Sequence, residues 1–274
     1  MPSAKVWLPA GALLAVVLFA ILGPWLSPHA YDTSSLLDHN LPPVFAGGGW
    51  SHPLGTDGLG RDLLARLAVG ARVSLGLALA GTAIGLVLGT ALGLLAARGP
   101  GLGDWTTLAL IDLQAAIPFM IVALACLAVF GNSLALFVAV LGVYGWESYA
   151  RLVRASALSA RTLPFVEASR AMGVRPLAVD LRHVLPSVAN VVVVQATLNF
   201  PQTILLETGL SFLGLGIQPP LTSLGQLLGE GRDSLSRAPW LAVMPGTLIF
   251  VTTLSISLLG DALRDRLDPT SRPS

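Results

Sequence analysis

The feature that most constrains this chain is a set of long stretches without any charged side chain. Four of them, at 6–26, 73–97, 184–206 and 238–260, are 21, 25, 23 and 23 residues long. An α-helix needs about 20 mostly apolar residues to cross the hydrocarbon core of a bilayer. The four stretches therefore predict four helices that span a membrane.

A fifth stretch, 105–146, is 42 residues long and holds one charge, that of Asp112. As a single helix it would be about 63 Å long, which is twice the thickness of the hydrocarbon core. Its strongest turn signal is Gly131-Asn132-Ser133, so we expect two spans, at 105–130 and 134–150. The total is six predicted spans in an all-α membrane protein.

Composition excludes a soluble globular fold. Charged residues make up 11% of the chain and apolar residues 54%, whereas globular proteins carry about 25% charged residues to cover their surface. The single cysteine, Cys126, lies in an apolar run and offers neither a disulfide nor a cysteine-based metal site.

The positions of the cations predict the orientation of the spans. With the N-terminus on the cytoplasmic side, 11 of the 16 cations fall in inner segments and 5 in outer ones, as the positive-inside rule requires. Both termini are then cytoplasmic. The loop at 208–237 is then an outer loop. The sequence leaves open whether it re-enters the membrane or stays outside.

The predicted spans divide the chain into three parts. Residues 1–71 hold an anchor helix and an outer loop, and the anchor is longer than the core of a signal peptide, about 7–15 residues, so we expect it to be retained. Residues 72–262 form the main transmembrane domain, and 263–274 a cytoplasmic tail.

Four glycines, Gly81, Gly85, Gly89 and Gly93, recur every four residues in the second span and share one helix face. Small residues allow helices to approach closely in membranes. The sequence leaves open whether this face packs within the chain or against another subunit.

Ionisable residues are scarce in the predicted spans. Asp112 is the only clear one, with its role open, while Glu147, Glu207 and Asp261 stand at span ends, where we expect them at the interface. A carrier driven by protons or sodium ions would need a polar relay near the midplane. That pattern is missing from the sequence, and so is a nucleophile with a base for intramembrane hydrolysis.

The long inner loop, 151–185, predicts one short helix. Pro164 and Gly173 are its start and stop signals, and Phe165, Ala168 and Met172 recur at spacings that place them on one face. Two helical turns are not stable alone. The face therefore rests either on the bilayer or in a groove of a cytosolic protein.

The same loop carries a resemblance to a known family. Glu167-Ala168-Ser169, then Gly173 after three residues and His183-Val184-Leu185-Pro186 after nine more, resemble the EAA loop of ABC importer permeases. Gly55-Thr56-Asp57 with Gly60-Arg61-Asp62, and the run 210–216, are similar to the dipeptide, oligopeptide and nickel permeases, in particular their C-type subunit. Ser169 and His183 depart from the family pattern.

The resemblance implies the transmembrane domain of a type I ABC importer in a bacterial inner membrane. Its partners would be a paralogous permease subunit, two ATP-binding subunits or domains, an extracytoplasmic substrate-binding protein and membrane lipid, with no nucleic acid. Residues 164–173 would be the coupling helix. The implied ATPase contact comprises Phe165, Glu167, Ala168, Ser169, Met172, Gly173 and Pro186.

The energy source is expected on a partner. The sequence has no phosphate-binding G-x-x-x-x-G-K-S/T motif, so we expect no catalytic residue, cofactor or metal in this chain, and ATP with Mg²⁺ on the ATPase subunits. The resemblance implies di- or oligopeptides as cargo. Nickel or another small solute, and a secondary transporter, are the alternatives.

Overall fold

The structure, a computed structural model, describes residues 4–267, which fold mainly as α-helices. In chain order these are α1 (Ala4–Leu26), α2 (Leu63–Ala96), α3 (Leu102–Ala116), α4 (Phe119–Phe130), α5 (Leu134–Val143), α6 (Trp146–Ala160), α7 (Pro164–Ala171), α8 (Pro176–Val179), α9 (Leu185–Phe212), α10 (Leu224–Arg232) and α11 (Trp240–Leu267). A π-helical turn, Asp180–Val184, joins α8 to α9. The predicted tail begins within α11, and its residues from 268 onward lie outside the described part of the chain.

Four helical segments among the described residues are long and apolar enough to cross a membrane: Val6–Leu26, Leu63–Ala96, Pro176–Phe212 and Trp240–Leu267. They cover the four uncharged stretches of the sequence except for residues 97, 238 and 239. The pair α3 and α4 passes the same test when counted as one bent span, which gives five. The all-α fold is thus confirmed for the described residues, while the count of six stays a prediction.

The stretch at 105–146 differs from the two straight spans that the sequence predicts. Helices α3 and α4 meet at an angle of 88° because Pro118 lacks a backbone N–H and Ile117, before it, is extended. A second break separates α5 from α6 at Gly145, whose φ of +79° is left-handed. A Cβ atom at Gly145 would lie 2.0 Å from the Asn199 side chain, so a larger residue is excluded there.

Helix α2 starts ten residues before the predicted span. The Asp62 side chain caps it by accepting a hydrogen bond from the Ala65 N–H at 2.9 Å. Two arginines of this added segment are held by partners: Arg66 pairs with acidic residues, and Arg72 donates to the carbonyls of Ala20 and Ile21 at the end of α1. The helix can therefore begin before its uncharged part, because its two arginines there have partners.

Helix α2 is the centre of the bundle, packed against α1, α5, α6 and α9. The structure places its glycine face against α5 and α6 of the same chain. A Cβ atom at Gly89 would lie 2.3 Å from the Trp146 carbonyl oxygen, and one at Gly93 would lie 2.7 Å from that of Ala150. The backbones thus meet directly, which side chains larger than hydrogen would prevent.

Candidate functional site

The short helix predicted in the loop at 151–185 is α7. Pro164 occupies its first turn, where a missing N–H costs no hydrogen bond. The chain leaves the helix through Gly173, which has a φ of +79° and open space around its α-carbon. Both signals read from the sequence therefore bound the helix in the structure.

Helix α7 has one buried and one exposed face. Val166 is fully buried in an apolar cluster with Ala160, Val179 and Val184. On the opposite side Phe165 is 51% exposed and Met172 75% exposed, and Ala168 lies exposed between them. The three residues that the sequence places on one face thus form an uncovered apolar surface, which we call the α7 face.

Ser169 and His183, the two residues that depart from the pattern of the EAA loop, lie next to each other. The Ser169 hydroxyl donates to the Phe165 carbonyl oxygen at 2.9 Å and lies 3.3 Å from His183 Nε2. The imidazole of His183 also meets the Phe165 ring edge-on, with centroids 5.9 Å apart. Together they fasten α7 to the π-helical turn before α9 and orient Phe165.

A buried ion-pair cluster lies beneath the helix and was missed by the sequence reasoning. Asp180, 1% exposed, accepts from Arg161 at the end of α6 and from Arg98 Nε at 2.9 Å, just after α2. Burial lowers the pKa of Arg161, and the charge of Asp180 acts against that shift. One carboxylate thus ties the π-helical turn that follows α7 and α8 to the C-terminal ends of α2 and α6. The sequence signal for it is weak: Asp180 is one of two acidic residues, with Glu167, in an arginine-rich loop.

The remaining residues of the predicted contact lie on the surface. Glu167 is exposed in the first turn of α7, and Pro186 is exposed in the first turn of α9. A carboxylate near a helix N-terminus is favoured by the helix dipole. The structure thus brings Phe165, Glu167, Ala168 and Met172 to one surface, with Ser169 buried behind it.

A second charged cluster lies at the opposite end of α2. Arg66, 2% exposed, pairs with Asp57 at 2.5 Å and with Glu230 of α10 at 2.7 Å, and Arg61 joins both acids. Burial raises the pKa of Asp57, but the Arg61 backbone N–H and the charge of Arg66 outweigh it, so the pKa lies below its usual value. The cluster borders a cleft of about 540 Å³.

Glu207 differs most from its predicted interfacial position. It is fully buried within α9, where it accepts from Ser74 of α2 at 2.9 Å and from Ser211 at 2.7 Å. Ser74 in turn accepts from the Leu224 N–H that begins α10, at 3.0 Å. The carboxyl group thus holds the segment after α9 against α2, and this partner set explains its burial.

The other ionisable residues are placed as follows. Asp112 is exposed on α3, and Asp261 is exposed on α11. Glu147 accepts from Gln114 Nε2 at 2.7 Å, and Gln114 accepts from Trp146 Nε1 at 2.6 Å. This bridge joins α3 to α6 beside the break at Gly145.

Comparisons with known proteins agree with this architecture. A family model described as the binding-protein-dependent transport system inner membrane component matches residues 85–273. A second model, the N-terminal TM domain of oligopeptide transport permease C, matches residues 10–43. The methionine ABC transporter MetNI, solved in inward-facing conformations, shares the fold with a TM-score of 0.55 at 21% identity, over 74% of this chain and 96% of that one.

Curated relatives match nearly the whole chain. The oligopeptide transport system permease protein OppC of Escherichia coli K12 is 39% identical over 95% of this chain and 85% of that protein. The di/tripeptide permease DppC of Pseudomonas aeruginosa is 40% identical over 94% and 85%, and the glutathione permease GsiD of Pectobacterium atrosepticum is 35% identical over 94% and 84%. The chain therefore belongs to the family of binding-protein-dependent transport system inner membrane components.

Proposed function

We propose that the chain is one of two related permease subunits of an ATP-driven importer, and that it carries peptides delivered by an extracytoplasmic binding protein. The observation that carries this proposal is the α7 face. An apolar surface on a firmly anchored inner helix is what a groove on a partner protein requires. Relatives named as oligopeptide and di/tripeptide permeases favour peptides as the cargo, while glutathione, nickel or another small solute is the second candidate.

The proposed topology has six spans with both termini in the cytoplasm. Helices α3 and α4 would form one bent span, and α5 with the start of α6 another. This arrangement puts α7 and the arginine-rich loop inside, as the positive-inside rule favours. The proposed division is an anchor with an outer loop at 1–71, a transmembrane domain at 72–262 and a tail at 263–274.

The proposed mechanism moves α7 together with the ATPase. ATP and Mg²⁺ bind to the two ATPase subunits, which close around the nucleotide and shift the groove that holds the α7 face. Asp180 passes this shift on, because its ion pairs join the π-helical turn behind α7 to the inner ends of α2 and α6. Coupling of this kind needs two global states that ATP and substrate bias differently.

Helix α2 links the proposed inner contact to the outer side. Its 34 residues run from Arg98 and the Asp180 cluster at one end to the Asp57, Arg66 and Glu230 cluster at the other. A rigid helix of about 50 Å carries a displacement over its whole length. The outer cluster and its cleft are therefore where we propose that the substrate-binding protein docks.

Uptake measurements with Gly173→Asp test the proposal. The left-handed φ of Gly173 and the added charge beside the α7 face should stop ATP-dependent peptide uptake while the subunit still reaches the membrane. Gly101→Asp is the matched control, because Gly101 is exposed, extended and free of close neighbours in the shorter inner loop. Normal uptake with Gly173→Asp, or equal loss in both variants, would contradict the assignment of α7.

A further inference from the structure

Two histidines and an aspartate meet on the outer side, next to the cluster of Asp57, Arg66 and Glu230 but without sharing a residue with it. His29 follows α1, His52 belongs to the outer loop, and Asp62 caps α2. One ring nitrogen of each histidine and one carboxylate oxygen of Asp62 all lie within 4.8 Å of one another. The cluster therefore joins three separate segments of the chain at one point.

The Asp62 carboxylate is already oriented by its neighbours. Its Oδ1 accepts from the Ser27 hydroxyl at 3.1 Å and from the Ala65 N–H at 2.9 Å. Its Oδ2 lies 2.9 Å from His52 Nδ1. Two ligands bound tetrahedrally at about 2.0–2.1 Å would stand about 3.3 Å apart, so a small shift of the imidazole would let an ion enter between them.

The imidazole of His29 has a ring nitrogen that can still bind a ligand. The rings of His29 and His52 lie side by side, with centroids 4.3 Å apart. The Nδ1 atom of His29 is buried and has no hydrogen-bond partner among the described residues. A buried ring nitrogen without a partner is uncommon, and a ligand bound at this cluster would explain its position.

We propose that His29, His52 and Asp62 form a binding site for a divalent transition-metal ion of the Zn²⁺ class. Imidazole nitrogen suits Zn²⁺ and similar ions, whereas Mg²⁺ and Ca²⁺ prefer all-oxygen sites. Three protein ligands leave one position for water, as in open zinc sites. Ser27 supports the carboxylate from behind, which is the role that outer-shell hydrogen bonds play around metal ligands.

The bound ion would fasten the exit of α1 to the start of α2. Without it, the segment at His29 is held to this region by the Ser27 hydroxyl, which donates to Asp62 and accepts from the His29 N–H at 3.2 Å. An ion ligated from three segments adds a link that depends on metal concentration. Metal should therefore raise the thermal stability of the outer side.

Zn²⁺ titration of the complete transporter tests the site. The complex is purified through a tag without histidine, stripped with a chelator, placed in lipid nanodiscs and titrated with Zn²⁺ by calorimetry. His29→Gln removes one ligand and spares the cap, since the cap is the hydrogen bond from the Ala65 N–H to Asp62, and His29 Nδ1 has no hydrogen-bond partner among the described residues. His39→Gln is the control, because His39 is a histidine of the same loop whose Nδ1 contacts the Leu36 carbonyl at 3.0 Å.

We expect the wild type and His39→Gln to bind Zn²⁺ equally, and His29→Gln to bind at least about tenfold more weakly. Zn²⁺ should also raise the melting temperature of the first two proteins more than that of His29→Gln, whereas the metal-free melting temperatures of all three should agree. Equal affinity in His29→Gln, or no difference between the wild type and His29→Gln in the Zn²⁺-dependent shift, would overturn the proposal.

Discussion

Replacing Gly89 by alanine should destabilise the protein, although alanine is the better helix former. The added Cβ would lie 2.3 Å from the Trp146 carbonyl oxygen and 2.6 Å from the Tyr149 Cβ, against ordinary contacts of 3.4–4 Å. The nearest atom belongs to the backbone, so a side-chain rotation cannot relieve the clash. Helices α2 and α6 must move apart by about 1 Å, which reduces packing along the whole glycine face.

The magnitude follows from two opposing contributions. Overpacking of a tight core costs about 1–3 kcal/mol, and a backbone clash belongs at the upper end. Alanine returns about 0.5–1 kcal/mol through its helix propensity. The net loss is then roughly 2 kcal/mol, which lowers the melting temperature of a chain of this size by roughly 4–8 °C.

A graded series makes the assay decisive. The nearest contacts of an added Cβ are 2.3 Å at Gly89, 2.7 Å at Gly93, 2.8 Å at Gly81 and 3.1 Å at Gly85, while Gly76 of the same helix has no neighbour within 4 Å. Thermal unfolding of the detergent-purified complex should rank the alanine variants in that order, with Gly76→Ala at or slightly above the wild type. A flat series, or a loss at Gly76 as large as at Gly89, would refute the packing of α2 on α6.

Two further predictions concern the charged clusters. Asp180→Asn leaves the buried Arg161 without its carboxylate and should cost roughly 3–5 kcal/mol. In unfolding experiments on the complex, Asp104→Asn, which removes a half-buried partner of Arg154, should cost less, and equal losses would show that the Asp180 cluster is not a buried anchor. Because the pKa of Asp57 is lowered in the fold, its charge stabilises the protein above the ordinary carboxyl range, and this contribution is lost as the pH falls through the lowered value. The difference in melting temperature between wild type and Asp57→Asn should therefore be constant from about pH 7 to pH 5 and should shrink below about pH 4. A difference that persists in acid would contradict the role of that charge.

The sequence predicts the long spans well because length and lack of charge are properties of a single helix. Residues 6–26 fall within α1, and the predicted span at 238–260 begins two residues before α11. It misses the 88° bend between α3 and α4, since Pro118 within an apolar run is compatible with a kinked helix as well as with a break. It also misses the start of α2, because Arg66 and Arg72 look like loop residues until their partners in other elements are known.

In the candidate site, too, local features are predictable from the sequence and long-range contacts are not. Pro164, Gly173 and the spacing of Phe165, Ala168 and Met172 predict α7 and its exposed face, because these are local patterns. The Asp180 cluster and the burial of Glu207 depend on residues far apart in the chain. A single sequence without periodic signal at those positions does not reveal such partners.

Photo-cross-linking from the α7 face tests most directly whether this surface binds the ATPase. Met172→Cys in a Cys126→Ala background would carry a benzophenone maleimide in the assembled transporter. Leu37→Cys would be the control, because Leu37 is 94% exposed in the loop between α1 and α2, which we propose lies on the outer side. We expect irradiation to join the label at Met172 to an ATPase subunit and the label at Leu37 to none. Adducts at Met172 with lipid alone, or ATPase adducts of equal yield from both positions, would contradict the docking of α7.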